Sequence, residues 1–172
     1  MSLDAAWCAQ FDVVRALCDH HLDRLTDDEL SWVPAPLHWT VHRTAEGWEP
    51  DFPADGVEPD PVPAPTAAWV AWHLLWWWGT ASAELAGRAH PAASPYPGSA
   101  AAVAAALRER AAVWRAELER ADPHRPVAFP WPEGRTVADL VGWAHVELTK
   151  NVAELGQLRV LRGAGAGGAA GR

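Results

Sequence analysis

The hydrophobic positions near the start of the chain recur at the spacing of an amphipathic helix. Apolar residues three and four positions apart share one face, because an α-helix has about 3.6 residues per turn. The pattern extends from Leu3 to Leu25 and predicts a first helix over that range. Thr26 and Glu29 follow with the spacing of a capping box, which predicts a short helical turn that ends near Trp32.

Two further helices are predicted in the middle of the chain. Thr66 is a favourable N-cap residue and opens a second helix, from Ala67 to about Arg88. Ser99 opens a third helix, which Pro123 closes because proline is excluded from helix interiors. The core-facing seam of this third helix is predicted to consist of Val103, Leu107, Ala111, Trp114 and Leu118.

The last long periodic segment predicts a fourth helix. Thr136 and Asp139 form a second capping-box pattern, and the helix runs to about Arg162. Its buried face is predicted to comprise Val137, Val141, Ala144, Leu148, Val152 and Leu155. Four amphipathic helices predict an all-α fold, a four-helix bundle that forms a single domain over residues 1–162. Residues 163–172 are rich in glycine and alanine and predict a flexible tail.

A long connection separates the first two long helices. Residues 33–65 contain eight prolines and keep no regular period, so we predict a surface crossover at the end of the bundle. Within it a short strand is predicted from Trp39 to Arg43. A second proline-rich stretch, before the fourth helix, predicts a brief extended piece from Val127 to Phe129.

Charge and composition narrow the classes of function. A formal net charge of −8 without a basic stripe argues against nucleic acid as a partner. The chain lacks a signal-peptide pattern and any run of about 20 apolar residues, so no membrane association is expected. Cys8 and Cys18 lie about 15 Å apart along one predicted helix, too far for a disulfide. Two free thiols suit a reducing compartment, and we predict a cytoplasmic protein.

The second predicted helix begins with an unusual concentration of aromatic residues. The stretch AWVAWHLLWWWG, residues 68–79, places five of the chain's 12 tryptophans around His73. By helical geometry Trp69, Trp76 and Trp77 share the face of His73, and five indoles exceed what one face can bury. The surplus predicts contact with the crossover, a homodimer interface or a ligand pocket. His73 itself is either a polar residue on a packed aromatic face or a metal ligand.

Several stretches taken together are similar to the DinB superfamily of bacterial four-helix bundles. They are LTDDEL after the first helix, TAAWVAWHL at the start of the second, and Gly156-Gln157 near the end of the fourth. The superfamily includes YfiT-like proteins and proteins like mycothiol-dependent maleylpyruvate isomerase. The resemblance spans roughly Asp4 to Arg162 and implies the same bundle.

The resemblance also implies a divalent metal, held by one histidine on the second helix and two ligands four residues apart on the fourth. His73 matches the histidine, and Lys150 and Glu154 occupy the other two positions. A protonated lysine cannot bind a metal, so the pattern is interrupted at its middle ligand.

Helical geometry offers a rival ligand set on the fourth helix. With Ala144 at the centre of the core stripe, Glu147, Asn151 and Glu154 fall about 60°, 20° and 80° to one side. Lys150 falls about 120° away and is expected to lean outward. His145 lies about 100° to the other side. The rival metal set is therefore His73, Glu147, Asn151 and Glu154.

We predict a groove between the second and fourth helices, lined by Trp69, Trp76, Trp77 and Lys150 beside the candidate ligands. The favoured function is a metal-free binding or interaction protein, in which Lys150 pairs with Glu147 or Glu154. The tryptophans then pack a homodimer or receive a small apolar ligand. The alternative, implied by the resemblance, is a transferase or isomerase dependent on Zn, Ni or Mn. Its metal would lower the pKa of a low-molecular-weight thiol such as mycothiol or bacillithiol.

Overall fold

The computed structural model of the chain describes residues 2–53, 56–91, 96–131 and 133–165. Within these residues helices dominate, and the all-α prediction is confirmed. The helices are α1 (Leu3–Leu22), α2 (Asp27–Ser31), α3 (Ala67–Leu85), α4 (Ala100–Leu118) and α5 (Val137–Gly163). Residues 166–172 of the predicted tail lie outside the described residues. Among the described helices, none combines the length and apolar character needed to cross a membrane.

The predicted caps set the helix starts. Thr26 and Glu29 form the capping box of α2: the Glu29 amide donates to Thr26 Oγ1 across 3.2 Å, and the Thr26 amide donates to Glu29 Oε2 across 2.9 Å. Thr136 and Asp139 form a second capping box at the start of α5. These bonds satisfy N–H groups that a helix leaves free at its first turn.

Two helices end earlier than their hydrophobic pattern predicts. The α3 helix ends at Leu85 because Gly87 adopts a φ of 64° in the left-handed region. The Arg88 amide then donates back to the Ala83 carbonyl across 2.8 Å, the six-to-one bond of a Schellman motif. The α1 helix ends at Leu22, three residues before Leu25.

The four long helices share one hydrophobic core. Both α1 and α3 pack against α4 and α5. The predicted seams of α4 and α5 are buried throughout, and Phe11 of α1 and Trp114 of α4 are at most 1% exposed. Burial of each such side chain contributes about 1.5–3 kcal/mol. The interior is therefore fixed by the apolar stripes that the sequence displays.

The crossover, residues 33–65, contains more strand structure than its sequence predicts. The predicted strand is split into β1 (His38–Trp39) and β2 (Val41–Arg43), because each pairs with a different partner. The β1 strand runs parallel to β4 (Ala64–Pro65), and β2 runs antiparallel to β3 (Trp48–Pro50). The predicted extended piece near Val127 corresponds to β5 (Pro126–Val127), which pairs with β6 (Arg135–Thr136).

Candidate functional site

A groove of about 260 Å³ lies between α3 and α5 and is covered by the crossover. The side chains that define its chemistry come from all three segments: Trp39, Phe52 and Glu58 from the crossover, Trp69 and His73 from α3, and Lys150, Asn151 and Glu154 from α5. The remaining lining is mostly proline and valine of the crossover.

Aromatic stacking and one hydrogen bond hold the crossover on α3. The ring of Trp39 stacks on Trp69 with centroids 5.1 Å apart and planes inclined by 21°. The Trp69 indole N–H donates to the Asp51 carbonyl across 2.6 Å. Trp69 is thereby buried, which accounts for part of the predicted tryptophan surplus.

His73 lies on this aromatic stack. Its imidazole is parallel to Trp69, with centroids 4.9 Å apart and planes inclined by 10°. Burial, assisted by the positive charge of Lys150, lowers the pKa of His73 to about 4, and the ring is therefore neutral at pH 7. Nδ1 is buried and has no hydrogen-bond partner among the described residues. The neutral ring therefore lines the groove with one ring nitrogen that has no hydrogen-bond partner among the described residues.

Both the oxygen and the nitrogen of the Asn151 side-chain amide form hydrogen bonds. Its Oδ1 accepts from the Trp77 indole N–H across 3.1 Å, and its Nδ2 donates to Glu154 Oε2 across 2.8 Å. Asn151 is 1% exposed and Trp77 is 3% exposed. A buried amide whose partners are this well placed would lose both bonds by turning toward a metal.

Of the two alternative ion pairs considered for Lys150, it forms the one with Glu147. Its Nζ lies 2.7 Å from Glu147 Oε2, and Glu154 makes no ion pair within the described part of the chain. The sequence predicts that Lys150 leans outward and also lines the groove. Its side chain is 51% exposed, yet it also lines the groove, because a long side chain reaches well beyond its position on the helix wheel. Glu147 is not part of the groove lining.

The remaining two predicted groove residues lie beside the groove. Trp77 is buried behind Asn151 and meets Trp143 edge to face, with centroids 5.2 Å apart. Trp76 is 38% exposed and stacks parallel to Trp72, and the Phe52 ring is inclined by 65° to Trp72 and by 63° to Trp76. Of the four predicted lining residues, Trp69 and Lys150 line the groove.

His145 faces the other side of α5, as its helical angle predicts. Nε2 accepts from the Trp114 indole N–H across 3.4 Å, and Nδ1 lies 2.9 Å from Gln10 Oε1. An indole can only donate, so the imidazole hydrogen is on Nδ1 and is donated to Gln10. Burial lowers the pKa of His145 to about 4. This histidine belongs to the bundle core rather than to the groove.

The arrangement of these side chains does not fit a divalent metal. Lys150 carries a paired ammonium at the middle ligand position, and Asn151 is occupied by Trp77 and Glu154. In the described part of the chain, no three His, Cys, Asp or Glu side chains are grouped so that they could hold a metal ion. The ligand set His73, Glu147, Asn151 and Glu154 stays a prediction for a binding measurement to decide.

Sequence reasoning missed the crossover side of the groove. Trp39, Phe52 and Glu58 all line it, and they come from the segment that has no periodicity. The only signal was the length of the crossover together with its aromatic residues, since long loops in compact domains are frequently functional. Which helix the crossover covers depends on contacts distant in sequence.

None of the curated proteins and none of the solved structures compared with the chain matches it. A model of the DinB superfamily matches residues 10–155, which is most of the chain and includes all of α3, most of α5 and the lining of the groove. The protein therefore belongs to the DinB superfamily.

Proposed function

We propose that this member of the DinB superfamily is a metal-free binding protein whose groove takes up a small organic molecule. The observation that carries the proposal is the ion pair of Lys150 with Glu147 at 2.7 Å. It places a positive charge where the resemblance implies a ligand to a cation. A bound divalent ion would be repelled by this ammonium, and its ligand shell would lack one donor.

The shape and surface of the groove support a small-molecule ligand. Its volume of about 260 Å³ is close to the lower end of the range for ligand pockets, about 300–1,000 Å³. Its lining is predominantly aromatic and apolar, with a few polar groups from the crossover, α3 and α5. Such a combination provides apolar burial for the body of a ligand and polar contacts that orient it.

The test is the metal content of untagged protein purified without chelator and then incubated with Zn, Ni or Mn. We expect far less than one metal per chain in the wild type and in His73→Ala, measured by plasma mass spectrometry. Metal bound near one per chain in the wild type and lost in His73→Ala would contradict the proposal. That result would favour the metal-dependent thiol transferase or isomerase instead.

A second pair of variants tests whether Lys150 is the cause. Lys150→His supplies the missing donor beside His73 and Glu154, and we expect it to gain metal affinity. Lys150→Met removes the ammonium without adding a strong donor and serves as the matched control. A gain in both variants would show that the positive charge, rather than the missing ligand, keeps metal out.

A further inference from the structure

We propose that the ligand of the groove is an organic cation, held by aromatic rings and by the carboxylates of Glu58 and Glu154. This inference rests on the proposed function, because it names the chemical class of the molecule that the groove takes up. The inference is supported by the charged side chains of the lining, by which of them form ion pairs, and by the aromatic rings beside them.

The first step is the balance of charge around the groove. Lys150 is neutralised by Glu147, which lies 2.7 Å from its Nζ. Glu154 receives one neutral hydrogen bond, from Asn151, and Glu58 makes no ion pair with any described residue. The lining therefore carries an excess of negative charge, which favours a cationic ligand and disfavours an anionic one.

The second step is the aromatic surface. Trp69 is covered by the stacked rings of Trp39 and His73, so the accessible aromatic surface of the groove belongs to Trp39 and Phe52. Phe52 is 49% exposed and Trp39 is half-buried. A ring face attracts a cation through its quadrupole, by about 0.5–1 kcal/mol at exposed sites and by about 2 kcal/mol when water is excluded. Rings beside unpaired carboxylates suit a substituted ammonium, which presents both apolar surface and charge.

The third step is size. At about 260 Å³, the space suits a small amine rather than a peptide or a nucleotide. The groove is also open at one side, since Glu58 and Phe52 are exposed. A ligand can therefore enter without any rearrangement of α3 or α5.

Three probes of nearly the same shape isolate the effect of charge: choline, the neutral 3,3-dimethylbutan-1-ol and the anionic 3,3-dimethylbutanoate. Each is titrated into the full chain and followed by isothermal titration calorimetry. We expect choline to bind saturably at one site, at least about tenfold more tightly than the neutral alcohol. We expect the anion to bind more weakly than either.

Two variants connect the preference to the groove. Glu154→Gln and Glu58→Gln should each weaken choline about three- to tenfold and leave the alcohol unchanged. Glu58 is exposed, so Glu58→Gln keeps the test valid if Glu154→Gln fails to fold. Glu109→Gln on α4 removes the same charge from an exposed position away from the groove and should have no effect.

Each alternative outcome overturns the inference in a recognisable way. Equal affinity for choline and the alcohol would leave an apolar binding groove, so the proposed function would stand without the cation. Tightest binding of the anion would identify Lys150 as the dominant group. Binding of none of the three probes would also overturn the inference, while the metal measurement would still decide the proposed function.

Discussion

At the residue scale, two neutral histidines, the half-buried His73 and the buried His145, link the stability of the protein to pH. His73 and His145 both have a pKa lowered from 6.5 to about 4, chiefly by burial. The unfolded chain therefore takes up protons at a higher pH than the folded chain does. The resulting stability is fully present above about pH 6.5 and is lost as the pH falls toward 4.

We expect His145→Gln to weaken this dependence on pH. Between about pH 6 and pH 5, one such histidine changes the free energy of unfolding by up to about 1.4 kcal/mol per pH unit. Glutamine retains a donor and an acceptor for Gln10 and Trp114 but cannot take up a proton in this range. Urea denaturation at several pH values measures the slope for each protein. The interpretation fails if the two slopes are equal, whatever the difference in absolute stability.

At the element scale, a glycine determines how closely α1 approaches α5. A Cβ at Gly156 would lie 2.6 Å from Nε2 of His21 and 2.7 Å from its Cε1. No side chain larger than hydrogen fits there unless the imidazole moves. The glycine of the Gly156-Gln157 pair, which contributed to the family resemblance, therefore has a packing function in this chain.

We expect Gly156→Ala to destabilise the protein by about 1–3 kcal/mol, despite the better helix propensity of alanine. Gly142→Ala on the same helix is the control: its Cβ would meet no atom of the described residues within 4 Å, and it should stabilise by about 0.5–1 kcal/mol. In a His21→Ala background the effect of Gly156→Ala should change sign. Thermal denaturation of the four proteins and the double variant measures these differences, and an unchanged penalty in that background would locate the strain elsewhere.

Asp51 links strands of the crossover to one another and contributes one hydrogen bond to α3. Its carboxylate accepts from the Thr40 amide across 2.7 Å and lies 2.9 Å from His42 Nε2, while its carbonyl accepts from Trp69. We expect Asp51→Ala to loosen β1–β3 by about 1–2 kcal/mol without loosening α4 or α5. Hydrogen exchange resolved by peptide would detect this. Glu49→Ala, at an exposed site on β3, is the control, and a uniform rise in exchange across the bundle would refute a local role.

The elements of this protein differ in how far the sequence could predict them. Capping pairs such as Thr26 with Glu29 and seams such as Val103 to Leu118 depend on neighbours within a few residues, so their pattern is visible in the chain. The contact of Trp39 with Trp69 joins residues 30 positions apart and has no periodic signature. The helical angle of Lys150 predicts its outward lean but does not by itself show that the side chain also reaches the groove. A wheel angle describes where a Cα lies, whereas a four-carbon side chain decides where the charge lies.

At the scale of the whole molecule, net charge and exposed apolar surface have opposite effects on the association of two copies of the chain. The formal charge of −8 disfavours association of two copies, while Phe52, Trp72 and Trp76 form an aromatic patch beside the groove. Phe52 is 49% and Trp76 is 38% exposed. The homodimer expected from the tryptophan surplus stays a prediction, and its dependence on salt follows from this opposition.

We expect the dimer fraction to rise with salt, because screening shortens the range of repulsion from about 30 Å at 0.01 M to about 3 Å at 1 M. Sedimentation velocity at these two salt concentrations measures it. Trp76→Gln should shift the chain toward monomer, whereas Val146→Gln, at a 66% exposed site on α5, should not.

Binding of an organic cation should weaken with salt, since its attraction to Glu58 and Glu154 is screened. Dimerisation that increases with salt and cation binding that decreases with salt would show that the aromatic residues near the groove take part in two separate interactions. A chain that is monomeric at both salt concentrations would contradict the predicted dimer.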